Sequence, residues 1–152
     1  MSNLLYPALK DVEHTIPIER LNVLRNQVES EKPNPSSQSL FNYAWGLIKC
    51  KGHRYQQEGV DILKQLYKDA PEIRKDCLYY LSMGSLKLGD YASARQFIEE
   101  LLKIEPENSQ GIAMKSVIED RITREGLISL GIAGGVLAVG VGLIGALLRR
   151  KR

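Results

Sequence analysis

The sequence predicts an all-α architecture: a solenoid fragment of six helices followed by one further, wholly apolar helix at the C-terminal end. Three observations predict it. Apolar residues recur at intervals of three and four from Ile18 to Thr123 with no strand-like alternation. Pro71 and Pro106, 35 residues apart, close two successive helical pairs. Leu127 to Leu148 is an uninterrupted run without a charge or a side-chain amide.

The elements follow in order. Ile18, Leu21, Leu24 and Val28 form the first stripe, ended by the turn-prone run Lys32-Pro33-Asn34-Pro35-Ser36-Ser37. A second helix is expected from Leu40 to about Lys51, and a third from about Gln57 to Ala70, stopped by Pro71. The fourth spans roughly Ile73 to Leu88 and stops at Gly89-Asp90; the fifth runs from Ala92 to Ile104 ahead of Pro106; the sixth covers about Ser109 to Thr123. The 35-residue spacing is close to the ~34-residue period of TPR arrays. In the second copy, Leu81-Ser82, Gly89-Asp90-Tyr91 and Ala94-x-x-x-Ile98 stand where that pattern has its Leu-Gly, turn and small-residue positions. The first copy, with Trp45-Gly46, Tyr55 and Gly59-x-x-x-Leu63, matches with one extra residue and is degenerate. Gly46, Gly59, Ser82 and Ala94 are small because paired helices approach there. Two repeats leave open apolar ends, so the first stripe and the Met114, Val117, Ile118, Ile122 stripe are expected to cap them. The expected fold is thus a six-helix TPR-like α-solenoid bundle, two TPR-like repeats with capping helices, plus one C-terminal transmembrane helix. The expected segments are an arm over 1–16, the helical domain over 17–126, the span over 127–148 and a basic end over 149–152.

In such a superhelix the first helix of each pair lines the concave face. The repeat register places Tyr43, Leu47, Cys50 and Lys51 there, together with Tyr79, Met83, Leu86 and Lys87. This predicts an apolar, aromatic groove with a basic rim, suited to a partner helix or an extended apolar segment.

The terminal run has 22 residues, which at ~1.5 Å per residue cover about 33 Å, enough for a ~30 Å hydrocarbon core. Twelve of them are Leu, Ile or Val, giving a gross insertion energy of roughly −4 to −7 kcal/mol before the glycines subtract from it. Six glycines would make a poor helix in water, at about 1 kcal/mol each relative to Ala. A tail-anchored protein, inserted after synthesis with its helical domain in the cytosol, is the expected topology. Gly134, Ala138, Gly142 and Ala146 recur every four residues in the span, a stripe that lets two such helices approach and form a homo-oligomer.

Charge and motif content exclude other classes. Residues 1–126 hold 17 Lys+Arg against all 18 Asp+Glu, so the positive net charge comes from Arg149, Arg150, Lys151 and Arg152, and a nucleic-acid face has no support. Cys50 and Cys77 read as free thiols of a reducing compartment. His14 and His53 lack partners at metal-ligand spacing, so no metal site is expected. There is no G-x-S-x-G, H-E-x-x-H or P-loop, and Glu99-Glu100 and Glu119-Asp120 point in different directions on a helix. No enzyme and no cofactor are expected.

The run from Phe41 to Lys49, reading Phe-Asn-Tyr-Ala-Trp-Gly-Leu-Ile-Lys, the run Cys77-Leu78-Tyr79-Tyr80-Leu81 with Leu88-Gly89-Asp90-Tyr91, and the Gly-rich tail with its basic end closely resemble the mitochondrial fission 1 protein family, its fungal members above all. The resemblance implies a tail-anchored receptor of the mitochondrial outer membrane, shared with peroxisomes, that brings a dynamin-related GTPase to division sites through WD-repeat adaptors. Helical segments of those adaptors would bind the TPR-like groove. It also implies that residues 1–16 form an N-terminal arm, with Leu4, Leu5, Tyr6 and Leu9 supplying apolar contacts across that groove. The rival reading is a tail-anchored TPR co-chaperone receptor, which would need several cations converging in the groove. A membrane-anchored regulatory subunit of an enzyme shares every feature named.

Overall fold

A computed structural model describes the backbone of residues 2–130 and the side chains of 7–126. Within these residues the fold is α1 (Ser2–Glu13), α2 (Ile18–Ser30), α3 (Ser37–Lys49), α4 (His53–Asp69), a 3-10 turn (Pro71–Ile73), α5 (Arg74–Lys87), α6 (Tyr91–Ile104) and α7 (Ser109–Leu130). There is no strand among them. Each helix from α2 onward packs against its successor, and α1 returns to pack on α7. The expected span from 131 onward, with Gly134, Ala138, Gly142 and Ala146, lies outside the described residues. No described helix is long and apolar enough to cross a membrane.

The local chemistry explains the boundaries. Ser36 caps α3 by accepting from the Ser39 amide at 3.1 Å, and Asp90 caps α6 by accepting from the Ser93 amide at 3.3 Å. Between α5 and α6 the chain turns through Gly89 at φ +81°, a conformation that disfavours any side chain. Gly59 answers a different need: a Cβ there would sit 2.8 Å from the Ala44 carbonyl oxygen, so only glycine lets α3 and α4 meet at this distance.

The central helix, α5, is buried around much of its circumference: Cys77, Leu78, Leu81, Ser82, Met83, Ser85 and Leu86 are each 3% exposed or less. It carries the main core with Ile48, Val60, Leu63, Ala94, Ile98, Leu101, Met114 and Ile118. A second cluster, Ile16, Leu21, Val28, Tyr43, Leu47 and Cys50, seals α2 onto α3. Thus α2 and α7 close the two apolar ends of the repeats.

Two boundaries differ from the sequence reading. The segment expected as an arm contains a twelve-residue helix, α1. Its signal is weak in sequence because Pro7 lies inside it and it is too short to show a sustained period. The last helix runs on to Leu130 rather than stopping near Thr123, since the residues between carry no proline and Gly126 does not break it.

Candidate partner-binding site

The concave face is built by α3, α5 and α7, and α1 lies on it. Ala8 and Val12 of α1, 5% and 6% exposed, belong to the main core, with Leu9 packed against it. The polar fastening is Asp11. Its backbone carbonyl and its Oδ1 both accept from the Lys49 ammonium, and its Oδ2 accepts from the Tyr79 hydroxyl at 2.8 Å. Lys49 is 1% exposed, so its charge depends on this one carboxylate, whose own side chain is 33% exposed. A buried ammonium without a partner is strongly unfavourable, which makes Asp11 the residue that decides whether α1 stays down. Burial, followed by the bond to Asp11, pushes the Tyr79 phenol far above its ordinary range, so it remains a donor at any working pH.

Two cavities border α1. One, of about 350 Å³, is lined by Pro7, Ala8, Asp11, Tyr79, Tyr80 and Ala113, with Ser109 and Gln110 at the start of α7. Tyr80 stacks edge-on against Phe41 at 5.8 Å and against Tyr79 at 5.0 Å, so its walls are aromatic. The other, of about 530 Å³, lies where the α3–α4 turn and the start of α4 meet the end of α5, the start of α6 and Arg121 of α7, and is lined by Cys50, Lys51, His53, Leu86, Lys87 and Arg121 among others. Lys87 donates to the Ile48 carbonyl at 3.0 Å. Its ammonium is held down at about 8, first by burial and then by the nearby Lys49 charge.

The structure separates the residues that the repeat register grouped. Cys50, Lys51, Leu86 and Lys87 come together in the basic cavity, and Tyr79 lines the aromatic one. Tyr43 and Leu47 face the other way: they pack against α2, and the Tyr43 hydroxyl accepts from Arg25 Nε at 3.1 Å. The reason is that α2 needs an apolar surface to cap, and these residues supply it. Met83 is fully enclosed in the core. Leu4, Leu5 and Tyr6 lie on the first turns of α1, before its described side chains begin. Sequence reasoning missed Asp11, Lys49 and Arg121. A lysine within the otherwise apolar run from Tyr43 to Cys50 was the available signal for Lys49. Burial also raises both thiols, Cys77 to about 12, which leaves them unreactive within the fold.

Fold and groove together define a helical-repeat domain of the TPR type with its own N-terminal helix laid in the groove. Residues 38–70 match the family model of the Fis1 N-terminal tetratricopeptide repeat, and residues 75–127 that of the Fis1 C-terminal tetratricopeptide repeat. The chain belongs to the mitochondrial fission 1 protein family: it is 54% identical over 147 residues to the mitochondrial fission 1 protein of Debaryomyces hansenii, covering 97% of this chain and 96% of that one. Among solved structures, it is similar to the crystal structure of fission protein Fis1 from Saccharomyces cerevisiae, with TM-score 0.74 and 42% identity over 80% of this chain and 95% of that chain. It is also similar to yeast Fis1 in complex with an Mdv1 fragment containing N-terminal extension and coiled coil domains, with TM-score 0.73 and 44% identity over 77% of this chain and 93% of that one. A third similar structure is yeast Fis1 complexed with a Caf4 fragment, with TM-score 0.56 and 44% identity over 60% of this chain and 94% of that one.

Proposed function

We propose that this chain is a receptor of the mitochondrial outer membrane, shared with peroxisomes, that gathers the fission machinery by binding helical segments of a WD-repeat adaptor, which in turn brings a dynamin-related GTPase. The observation that carries the reading is its similarity over most of its length to a Fis1 solved with an Mdv1 fragment bound. The uncharged run from Leu127 to Leu148 supports a single tail anchor, with residues 1–126 on the cytosolic side and the Gly134, Ala138, Gly142, Ala146 stripe available for pairing in the bilayer. Nothing in the proposed role calls for bond chemistry; the domain acts by holding a partner at a surface.

The groove gives the binding step its form. In the described fold α1 occupies the concave face, so a partner either packs beside α1 or takes its place. Titrating an Mdv1-type fragment into the full-length chain and into a chain lacking residues 1–16 decides whether α1 takes part. The expected result is an affinity difference of about tenfold or more; equal affinities remove α1 from the mechanism.

One observation favours the co-chaperone reading, the convergence of Lys51, Lys87 and Arg121 on one cavity, because a carboxylate clamp needs such cations. A synthetic peptide ending in a chaperone-type acidic C-terminus should bind much more weakly than the Mdv1-type fragment; the reverse order would favour the clamp.

A further inference from the structure

The larger cavity is electrically one-sided. Lys51, His53, Lys87 and Arg121 reach it from three different stretches of chain, and none of the residues lining it is Asp or Glu. Among the described residues, Lys51, His53 and Arg121 make no ion pair. Lys87 hydrogen-bonds a carbonyl and makes no ion pair, and the carboxylate that acts on its charge from a distance, Asp11, is already bound to Lys49. The start of α4 adds to the imbalance: its N-cap is Gly52, with no side-chain cap and no acidic residue in the first turn. An uncompensated cationic cluster with low-dielectric walls focuses a positive potential that draws anions.

The second cavity sets what kind of anion fits. It lies on the same two helices, at Tyr79 and Tyr80 of α5 and at Ala113 of α7. From Tyr80 to Lys87 is seven residues, or about 10 Å along α5, and from Ala113 to Arg121 is eight residues, or about 12 Å along α7. These separations are about two helical turns. An amphipathic partner helix would therefore reach both, with an apolar or aromatic anchor among the tyrosines and a carboxylate seven residues along in the basic cavity.

We infer that the basic cavity is the seat for acidic side chains of the docking segment and fixes which way that segment runs along the groove. This inference rests on the adaptor reading and adds the chemistry of the partner to it. The cations give direction and recognition, while the aromatic cavity gives apolar burial.

The test uses the full-length chain in an uncharged detergent and a double variant, Lys87→Gln with Arg121→Gln. Two labelled probes are titrated over a range of salt: an Mdv1-type fragment and octaglutamate. The expected result is fragment binding about tenfold weaker in the variant, with a shallower dependence on salt, and loss of octaglutamate binding. The control Lys87→Arg with Arg121→Lys should restore both, which separates lost charge from lost fold. Unchanged fragment affinity and an unchanged salt slope in the double variant overturn the inference. It is equally overturned if the variant keeps its partner but loses binding to vesicles containing phosphatidic acid, since the cavity would then serve a membrane surface. A wild-type chain that binds octaglutamate through these cations but not the fragment defeats the adaptor reading and leaves the acidic-segment site standing.

Discussion

At the scale of single residues, the informative groups are polar ones in places where their charge is constrained. Glu31 accepts from the Ser36 amide at 2.8 Å, from Gln27 at 2.6 Å and from Ser39 at 2.7 Å, and these bonds hold its carboxyl down at about 2. Its folded value lies below the ordinary 4.5, so the stability it adds is fully present above that pH and is lost as pH falls through about 2. Glu31→Gln should therefore flatten the acid limb of the stability curve between those values, measured by urea unfolding at stepped pH; an unchanged limb would show that the turn before α3 does not depend on this carboxylate. Tyr79 calls for a different substitution from the one its position on the groove suggests. It is 7% exposed and part of the main core, so truncation to Ala opens a cavity costing about 3–5 kcal/mol and confuses binding with folding. Tyr79→Phe keeps the ring and removes only the bond to Asp11. It should cost about 1–2 kcal/mol by thermal unfolding and loosen α1 without disturbing α2 to α7.

The helices themselves divide into those the repeat requires and the one laid across it. Helices α3 to α6 hold one another through the close approach at Gly59 and the enclosed α5, with capped starts on α3 and α6, while α1 is held by Ala8, Val12 and the Asp11 fastening. Asp11→Asn removes the charge that answers the Lys49 ammonium. We expect hydrogen exchange to accelerate in α1 selectively, with protection in α5 and α6 unchanged; uniform acceleration would mean that α1 is integral to the core rather than docked upon it. A second substitution, Lys49→Met, should recover much of the docking, because an apolar side chain of similar length needs no partner. The sequence made α2 to α7 legible through apolar spacing and helix breakers. It gave little sign of α1, where Pro7 interrupts a short segment, and no sign that Tyr43 and Leu47 face α2, because an apolar stripe marks what is buried without saying against which neighbour.

For the molecule as a whole, the same chain is expected to hold an address and a binding surface in separate segments. Residues 124–152 fused to a fluorescent protein should localise to mitochondria on imaging, and secretory-pathway staining would overturn the membrane address. What the sequence determined by itself is whatever depends on local order along the chain: the helical class, the repeat closed by Pro71 and Pro106, the family, and the uncharged run that predicts a span. The class, the repeat and the span are encoded by period, breaker and composition, and the family by the residue motifs it shares with its relatives; none of these needs a partner in space. Only the tertiary structure decided that Asp11 meets Lys49, 38 residues away, and Tyr79, 68 residues away, and that Lys51, Lys87 and Arg121 share one cavity. Such meetings follow from how α1, α2 and α7 pack onto the repeats. A side chain's direction on a helix becomes a contact only when the neighbouring helix is in place.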